Sequence, residues 1–286
     1  MVEPPFPAFS PKDEPKRPTP ADAVEPPALF PPDEPEAEAG PTRLRDVPFR
    51  MLVPNLITLG AICSGLTAVR LAFEGRFELA IVAIVFAAVL DAVDGRVARI
   101  LKGSSAFGEQ LDSLADFVNF GVAPALVLYL WALQDLQALG WIMALIFAIC
   151  GCLRLARFNV MLEDEDRPEW HVDFFVGVPA PAGALLVLLP IYLGFLGVER
   201  SGAMLWPTAF YTLFIGFLMV SNLPTWSGKR MGKRVSRRLV FPVMIGALLF
   251  VVFLFGYPWI TLTVGCLAYL ACLPFGYADH ARRSAR

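Results

Sequence analysis

Eight apolar runs constrain what this chain can fold into. They fall at 52–73, 77–101, 117–135, 138–157, 174–198, 204–224, 239–256 and 258–276, each long enough for a hydrocarbon core about 30 Å thick. Backbone N–H and C=O groups cannot be left unpaired in lipid, so the runs are predicted to be helices. The expected fold is therefore all-α: a polytopic membrane bundle of about eight transmembrane helices, with the first six as its core. Composition agrees, since 56% of the residues are hydrophobic, 23 are Phe, 17% are charged and the mean hydropathy is +0.58. A soluble domain carries about a quarter charged residues.

The segment before the first run is of another kind. Residues 1–41 hold thirteen prolines, nine acidic and three basic side chains and no apolar periodicity. Such a segment buries too little surface to offset the entropy of ordering, so residues 1–45 are expected to be a disordered, acidic, Pro-rich tail. It has neither the basic start nor the apolar core of a signal peptide, and the first run is expected to stay as a membrane anchor. The formal net charge of −2 hides a body of +4 beyond residue 41.

Basic residues sort by side. Arg43, Arg45 and Arg50 precede the first run, Arg96, Arg99 and Lys102 follow the second, and Arg154 and Arg157 end the fourth. The loop "SGKRMGKRVSRR" follows the sixth and "HARRSAR" ends the chain, whereas the opposite loops hold only Arg70, Arg76 and Arg200. Positive charge marks the cytoplasmic side, so both termini and the stretch joining runs two and three are expected there. Cys63, Cys150, Cys152, Cys266 and Cys272 lie in apolar stretches without metal-ligand neighbours and read as buried small hydrophobes.

Carboxylates gather in "LDAVDGRVARILKGSSAFGEQLDSLADF", residues 90–117. Asp91 and Asp94 are three apart and Asp112 and Asp116 four apart, so each pair shares a helix face. A connection containing Gly103 and Gly108 lets the faces meet. One or two aspartates at a helix end read as a solvated cap; four at these spacings, with Gly95 and Arg99 among them, do not. Each charge within a span costs roughly 2.5–3.5 kcal/mol, so a cation is needed. Oxygen ligands without His or Cys suit Mg²⁺ or Mn²⁺, and four carboxylates suffice for two ions. Paired hard cations suit phosphoryl transfer. Gly95 leaves room beside Asp94 for a ligand, and Arg99 offers a phosphate a fork that Lys lacks.

The spacing D-x2-D-G-x2-A-R-x8-G-x3-D-x3-D, from Asp91 to Asp116, resembles the motif of the CDP-alcohol phosphotransferase family in every fixed position. The resemblance implies an integral membrane enzyme, commonly a homodimer, that moves a phosphatidyl group from CDP-diacylglycerol, or a phospho-base from a CDP-alcohol, to an acceptor hydroxyl and releases CMP. It implies Asp91, Asp94, Asp112 and Asp116 as ligands of two divalent cations, with Asp116 also the general base. Gly95, Arg99 and Ser105 are implied contacts to the cytidine diphosphate. The element "VPNLIT" resembles the family's Pro-Asn-x-x-Thr and adds Asn55 and Thr58; a polar pair between helices is the other reading of those two.

Two further stretches, "LRLARFNV" at 153–160 and "FVGVPAPAGA" at 175–184, resemble the membrane-spanning phosphatidylserine synthases of that family. With the motif, the resemblance covers roughly residues 48–225. It implies transfer to L-serine in the cytoplasmic membrane, with a catalytic unit at 46–225 and a basic loop plus two additional helices at 226–286. Serine needs a cation for its carboxylate, and Arg154, Arg157 and Asn159 are the candidates, although the arginines also read as topological anchors. A glycerol 3-phosphate acceptor, with loop 229–238 supplying cations, is the alternative, as in phosphatidylglycerophosphate synthase. Transfer through a covalent phosphatidyl-histidine is excluded because neither His171 nor His280 is followed by Lys two residues later. A divalent-cation transporter would place its acids near mid-span on several helices.

Overall fold

A three-residue turn sets the first two helices side by side. Helices α1 (Phe49–Phe73) and α2 (Phe77–Leu101) are joined through Gly75, whose φ of +74° suits only glycine at low cost. Between them Ala61, Ala68 and Ala72 of α1 and Ala80 and Ala87 of α2 are buried. Small side chains let backbones approach, which matters in lipid because water no longer drives helices together. Ser64 Oγ adds a donated hydrogen bond to the Ala83 carbonyl at 2.7 Å.

The computed structural model describes residues 49–101, 105–163, 174–221, 224–226 and 237–284. The Pro-rich tail, Gly103, His171 and the loop 227–236 lie outside the described residues. Residues 47–286 form one compact unit.

The third span starts earlier than its apolar run. Helix α3 (Ala106–Asp116) passes through a π-helical turn, Phe117–Val122, into α4 (Ala123–Trp131). A 3-10 turn at Leu133–Leu136 leads to α5 (Gln137–Glu163). The run at 174–198 is not one helix. It opens with strand β1 (Phe174–Val176), then breaks at Leu188 into α6 (Ala180–Val187) and α7 (Leu189–Phe195). Pro190 has no N–H to offer the Leu186 carbonyl, and the Tyr211 hydroxyl donates to that oxygen at 2.9 Å. Tyr192 does the same for Leu185 at 3.1 Å. After α8 (Gly202–Val220), strand β2 (Pro224–Trp226) pairs antiparallel with β1, Phe174 facing Trp226.

Helices α9 (Arg237–Gly256) and α10 (Pro258–Ser284) complete the unit. α10 lies against α6 and α7, while α9 packs on α10 and leaves Phe241, Met244, Leu248 and Phe255 exposed. By length and composition, Leu52–Phe73, Phe107–Trp131, Leu133–Met161 and Gly202–Val220 can each cross a membrane, with shorter apolar stretches at Ala180–Phe195, Phe241–Gly256 and Pro258–Pro274. α2 is as long as α1 but carries Asp91, Asp94, Arg96 and Arg99 toward its end. The chain is an integral membrane helical bundle.

One expectation is corrected. Cys150 and Cys266 are buried, but Cys63, Cys152 and Cys272 are exposed. In a membrane bundle lipid solvates an outward apolar side chain, so an apolar neighbourhood in sequence does not imply burial in protein.

Candidate active site

Two helix ends build the site. α2 supplies Asp91 and Asp94 in its later turns, and α3 supplies Asp112 and Asp116. Ser105 starts α3: its backbone is extended and its Oγ accepts the Gly108 N–H at 3.0 Å, satisfying a donor that the first helical turn leaves open. The reversal brings one carboxylate oxygen each from Asp91, Asp94 and Asp112 within 4.8 Å of one another. At that separation two ionised carboxylates repel by roughly 3 kcal/mol at an effective dielectric of about 20. Asp116 stands outside this trio with its carboxyl group against that of Asp91.

Asp94 is only 3% exposed. Its Oδ2 accepts from Thr58 Oγ1 at 2.7 Å, while Oδ1 is buried without a hydrogen-bond partner. Asp116 Oδ1 is likewise buried and unpartnered. Orphaned anionic oxygens in a crowded acidic cluster are unfavourable unless a cation meets them. The donor set fits a hard divalent ion.

Beside the cluster opens a cleft. α1 contributes Pro54, Asn55 and Thr58, α2 contributes Asp94, Gly95 and Ala98, and Ser105, Gly108, Glu109 and Asp112 close the other wall. A side chain at Gly95 would meet no atom within 4 Å, so the cleft stays open there. A Cβ at Gly108 would stand 2.9 Å from Asn55 Oδ1, so glycine is what admits Asn55. Of the residues expected around a nucleotide, Asn55, Thr58, Gly95 and Ser105 line this cleft. Arg99 does not: it is exposed and its Nε donates to the Gly95 carbonyl at 2.9 Å.

The acceptor candidates separate. Arg154 is 9% exposed, its Nε is buried without a partner, and its guanidinium lies 5.6 Å over the Phe158 ring within electrostatic reach of Asp116. Arg157 Nη2 instead donates to the Ser221 carbonyl at the end of α8, at 3.2 Å. Asn159 Nδ2 donates to Ser113 Oγ at 3.0 Å, tying α5 to α3. Sequence reasoning passed over Glu109 and Ser113. An acid in the first turn of a helix reads as a complement to its dipole, and nothing in the spacing links Ser113 to a residue on another span.

A family model described as CDP-alcohol phosphatidyltransferase matches residues 51–218. The chain belongs to the CDP-alcohol phosphatidyltransferase family. A second model, CDP-alcohol phosphatidyltransferase 2, matches residues 238–274. Relatives of this CDP-alcohol phosphatidyltransferase include the CDP-diacylglycerol–serine O-phosphatidyltransferase of Mycobacterium leprae (strain TN), 40% identical over 237 residues, covering 81% of this chain and 76% of that protein. The protein of the same name in Mycobacterium tuberculosis (strain ATCC 25618 / H37Rv) is 39% identical over 232 residues, covering 78% and 77%. That of Methanocaldococcus jannaschii is 37% identical over 172 residues, covering 60% and 72%.

Proposed function

We propose that this CDP-alcohol phosphatidyltransferase transfers the phosphatidyl group of CDP-diacylglycerol to the hydroxyl of L-serine and releases CMP. The observation that carries the acceptor is Arg154: a buried side chain with an unsatisfied Nε donor, within electrostatic reach of Asp116. Serine brings a carboxylate that matches such a donor in fork geometry and a hydroxyl for the neighbouring base. Relatives named for serine transfer support the same acceptor.

Asp91, Asp94, Asp112 and Asp116 would hold two divalent cations, Mg²⁺ or Mn²⁺. Bound there, the ions would neutralise the pyrophosphate oxygens and the charge that develops on departing CMP. The chain's own groups do the rest. The cleft formed by Asn55, Thr58, Gly95 and Ser105 binds the cytidine diphosphate, and Thr58 holds the Asp94 carboxylate by its 2.7 Å hydrogen bond. Asp116 takes the serine hydroxyl proton as that oxygen bonds to the phosphorus carrying the diacylglycerol, and the bond from this phosphorus to the CMP oxygen breaks. Arg154 orients serine through its carboxylate. The diacylglycerol chains remain in lipid.

The site is assigned to the cytoplasmic face of the cytoplasmic membrane. At the opposite end Arg70 pairs with Glu74 at 2.9 Å, Arg76 with Glu74 at 3.6 Å and Arg200 with Asp135 at 3.0 Å. Those three arginines are outnumbered at the site's end by Arg50, Arg96, Arg99, Arg154 and Arg157, and this excess of basic residues favours that end as the cytoplasmic one.

The test is CMP release and lipid product by the purified protein, given CDP-diacylglycerol with serine, glycerol 3-phosphate, inositol, inositol phosphate or choline. Serine should give phosphatidylserine at a rate at least tenfold above the others. Preference for glycerol 3-phosphate would sink the serine assignment.

A further inference from the structure

Two contacts fix how α5 lies against the span that carries the proposed base. At one of them Asn159 Nδ2 donates to Ser113 Oγ at 3.0 Å, and Ser113 Oγ lies 3.1 Å from the Glu109 carbonyl. A hydroxyl has one proton to give, and the Glu109 carbonyl is nearer to it than Asn159 Oδ1 at 3.4 Å. The hydroxyl therefore accepts from the amide and donates back into its own helix. At the other contact the backbones meet: a side chain at Gly151 of α5 would bring its Cβ within 3.3 Å of the Gly121 Cα in the π-helical turn. Gly121 stands eight residues after Ser113, and Gly151 eight residues before Asn159. The two contacts share one antiparallel register.

The π-helical turn accommodates that register on the α3 side. Two α-helical turns take about seven residues, one short of the eight that separate Ser113 from Gly121. A π turn, with its i→i+5 bonds, takes in the extra residue and lets both positions meet α5. α5 packs along this turn, whereas the close neighbours of α3 itself are α1 and the turn. A directed polar contact thus matters more at the α3 end, since polar contacts and small residues set the relative placement of helices in lipid. Asp116 follows Ser113 by three residues and Arg154 follows Gly151 by three, so both lie in the stretch that the two contacts bracket. In this register the position across from Asp116 is Ala156, two residues from Arg154.

Serine makes a demand on this spacing. Its hydroxyl and its carboxylate sit on adjacent carbons, so a base acting on one and an arginine holding the other have little freedom in their separation. A slip of one helical turn would carry Arg154 about 5.4 Å along α3, farther than so short a molecule can follow. Misplacement by about 1 Å can already cost a hundredfold in rate. We propose that Ser113 and Asn159 are a positioning pair for the acceptor: their hydrogen bond, together with the Gly121–Gly151 contact, locks α5 in register with α3 and so fixes the separation of Arg154 from Asp116. The inference rests on Arg154 and Asp116 acting on serine. It places Asn159 behind the acceptor pocket rather than in contact with serine.

The test compares the parent with Ser113→Ala, Asn159→Ala, the double variant, Ser113→Thr and Arg154→Lys in the full chain. The readouts are kcat and KM with serine and with serinol, which lacks the carboxylate. Serinol makes no use of Arg154, so its turnover does not depend on the separation of Arg154 from Asp116. Ser113→Ala should lower kcat/KM for serine at least fivefold and that for serinol by a smaller factor, narrowing the preference. Asn159→Ala should match it, and the double variant should be no worse than the poorer single one, because the two groups act as a unit. Ser113→Thr keeps the hydroxyl and should recover at least half of the parent rate. A raised KM for serine in Asn159→Ala with Ser113→Ala silent would make Asn159 a direct serine contact and overturn the pairing. Additive effects, or equal losses toward serine and serinol, would reduce the pair to general support of the fold and overturn it as well. If Arg154→Lys loses the serine preference while both alanine variants stay at the parent level, the register lock fails and the serine contact survives. If Arg154→Lys keeps the parent preference, the serine contact itself fails and the inference goes with it.

Discussion

Thr58 Oγ1 lies 2.7 Å from Asp94 Oδ2, joining the first span to the carboxylate cluster through a residue that is itself 4% exposed. The same hydroxyl is 3.1 Å from the Pro54 carbonyl. With one proton to give, it serves the shorter and charged partner. Hydrogen bonds to charged groups contribute about 1.5–3 kcal/mol. Thr58→Val should therefore lower CMP release ten- to a hundredfold and raise the divalent-ion concentration needed for half-maximal rate, whereas Thr58→Ser should stay near the parent. A metal titration of both variants checks this.

Asp91→Asn and Asp112→Asn each remove one charge from the trio of oxygens lying within 4.8 Å. Loss of charge stabilisation at a metal site should cost several kcal/mol of barrier. Either variant should release CMP at under a tenth of the parent rate at saturating Mg²⁺ or Mn²⁺ while remaining monodisperse in detergent. Turnover above that level would remove the residue from the proposed ligand set.

Gly108→Ala puts a methyl group 2.9 Å from Asn55 Oδ1 and 3.2 Å from Ser105 Oγ. The crowding must move Asn55 or loosen the cap of α3. The KM for CDP-diacylglycerol should rise severalfold and that for serine should change less, as steady-state kinetics with each substrate varied will show.

Arg157 and Arg154 should part company. Arg157 is held by the Ser221 carbonyl, so Arg157→Lys should lower the thermal midpoint in detergent and shift the KM for serine less than Arg154→Lys does. A larger serine effect at Arg157 would reverse the assignment of the two arginines.

The aspartate cluster was legible because its information is local. Asp91 and Asp94, and Asp112 and Asp116, share faces by helical spacing alone, and only a short reversal separates the pairs. The break at Leu188 was less visible. Pro190 gave warning, but a proline within an apolar run is tolerated when a neighbour satisfies the freed carbonyl, and that neighbour, Tyr211, lies on another span. The strand at Phe174–Val176 was hidden because its partner, Pro224–Trp226, follows α8. The early start of α3 escaped because residues 106–116 are amphipathic rather than uniformly apolar.

The sequence by itself determined that the chain is a helical membrane bundle with an oxygen-rich, metal-competent cluster at one edge. Hydrophobic run length and helical periodicity are properties of a single segment, and they survive whatever the segment packs against. Only the tertiary structure decided that Arg154 lies within electrostatic reach of Asp116 while Arg157 is tied to Ser221, that Thr58 holds Asp94, and that α10 turns Trp259 and Cys266 inward onto α6 and α7. Those relationships join residues on different helices, and in lipid the relative placement of helices is set by close packing and buried polar contacts rather than by the hydrophobicity written along each span.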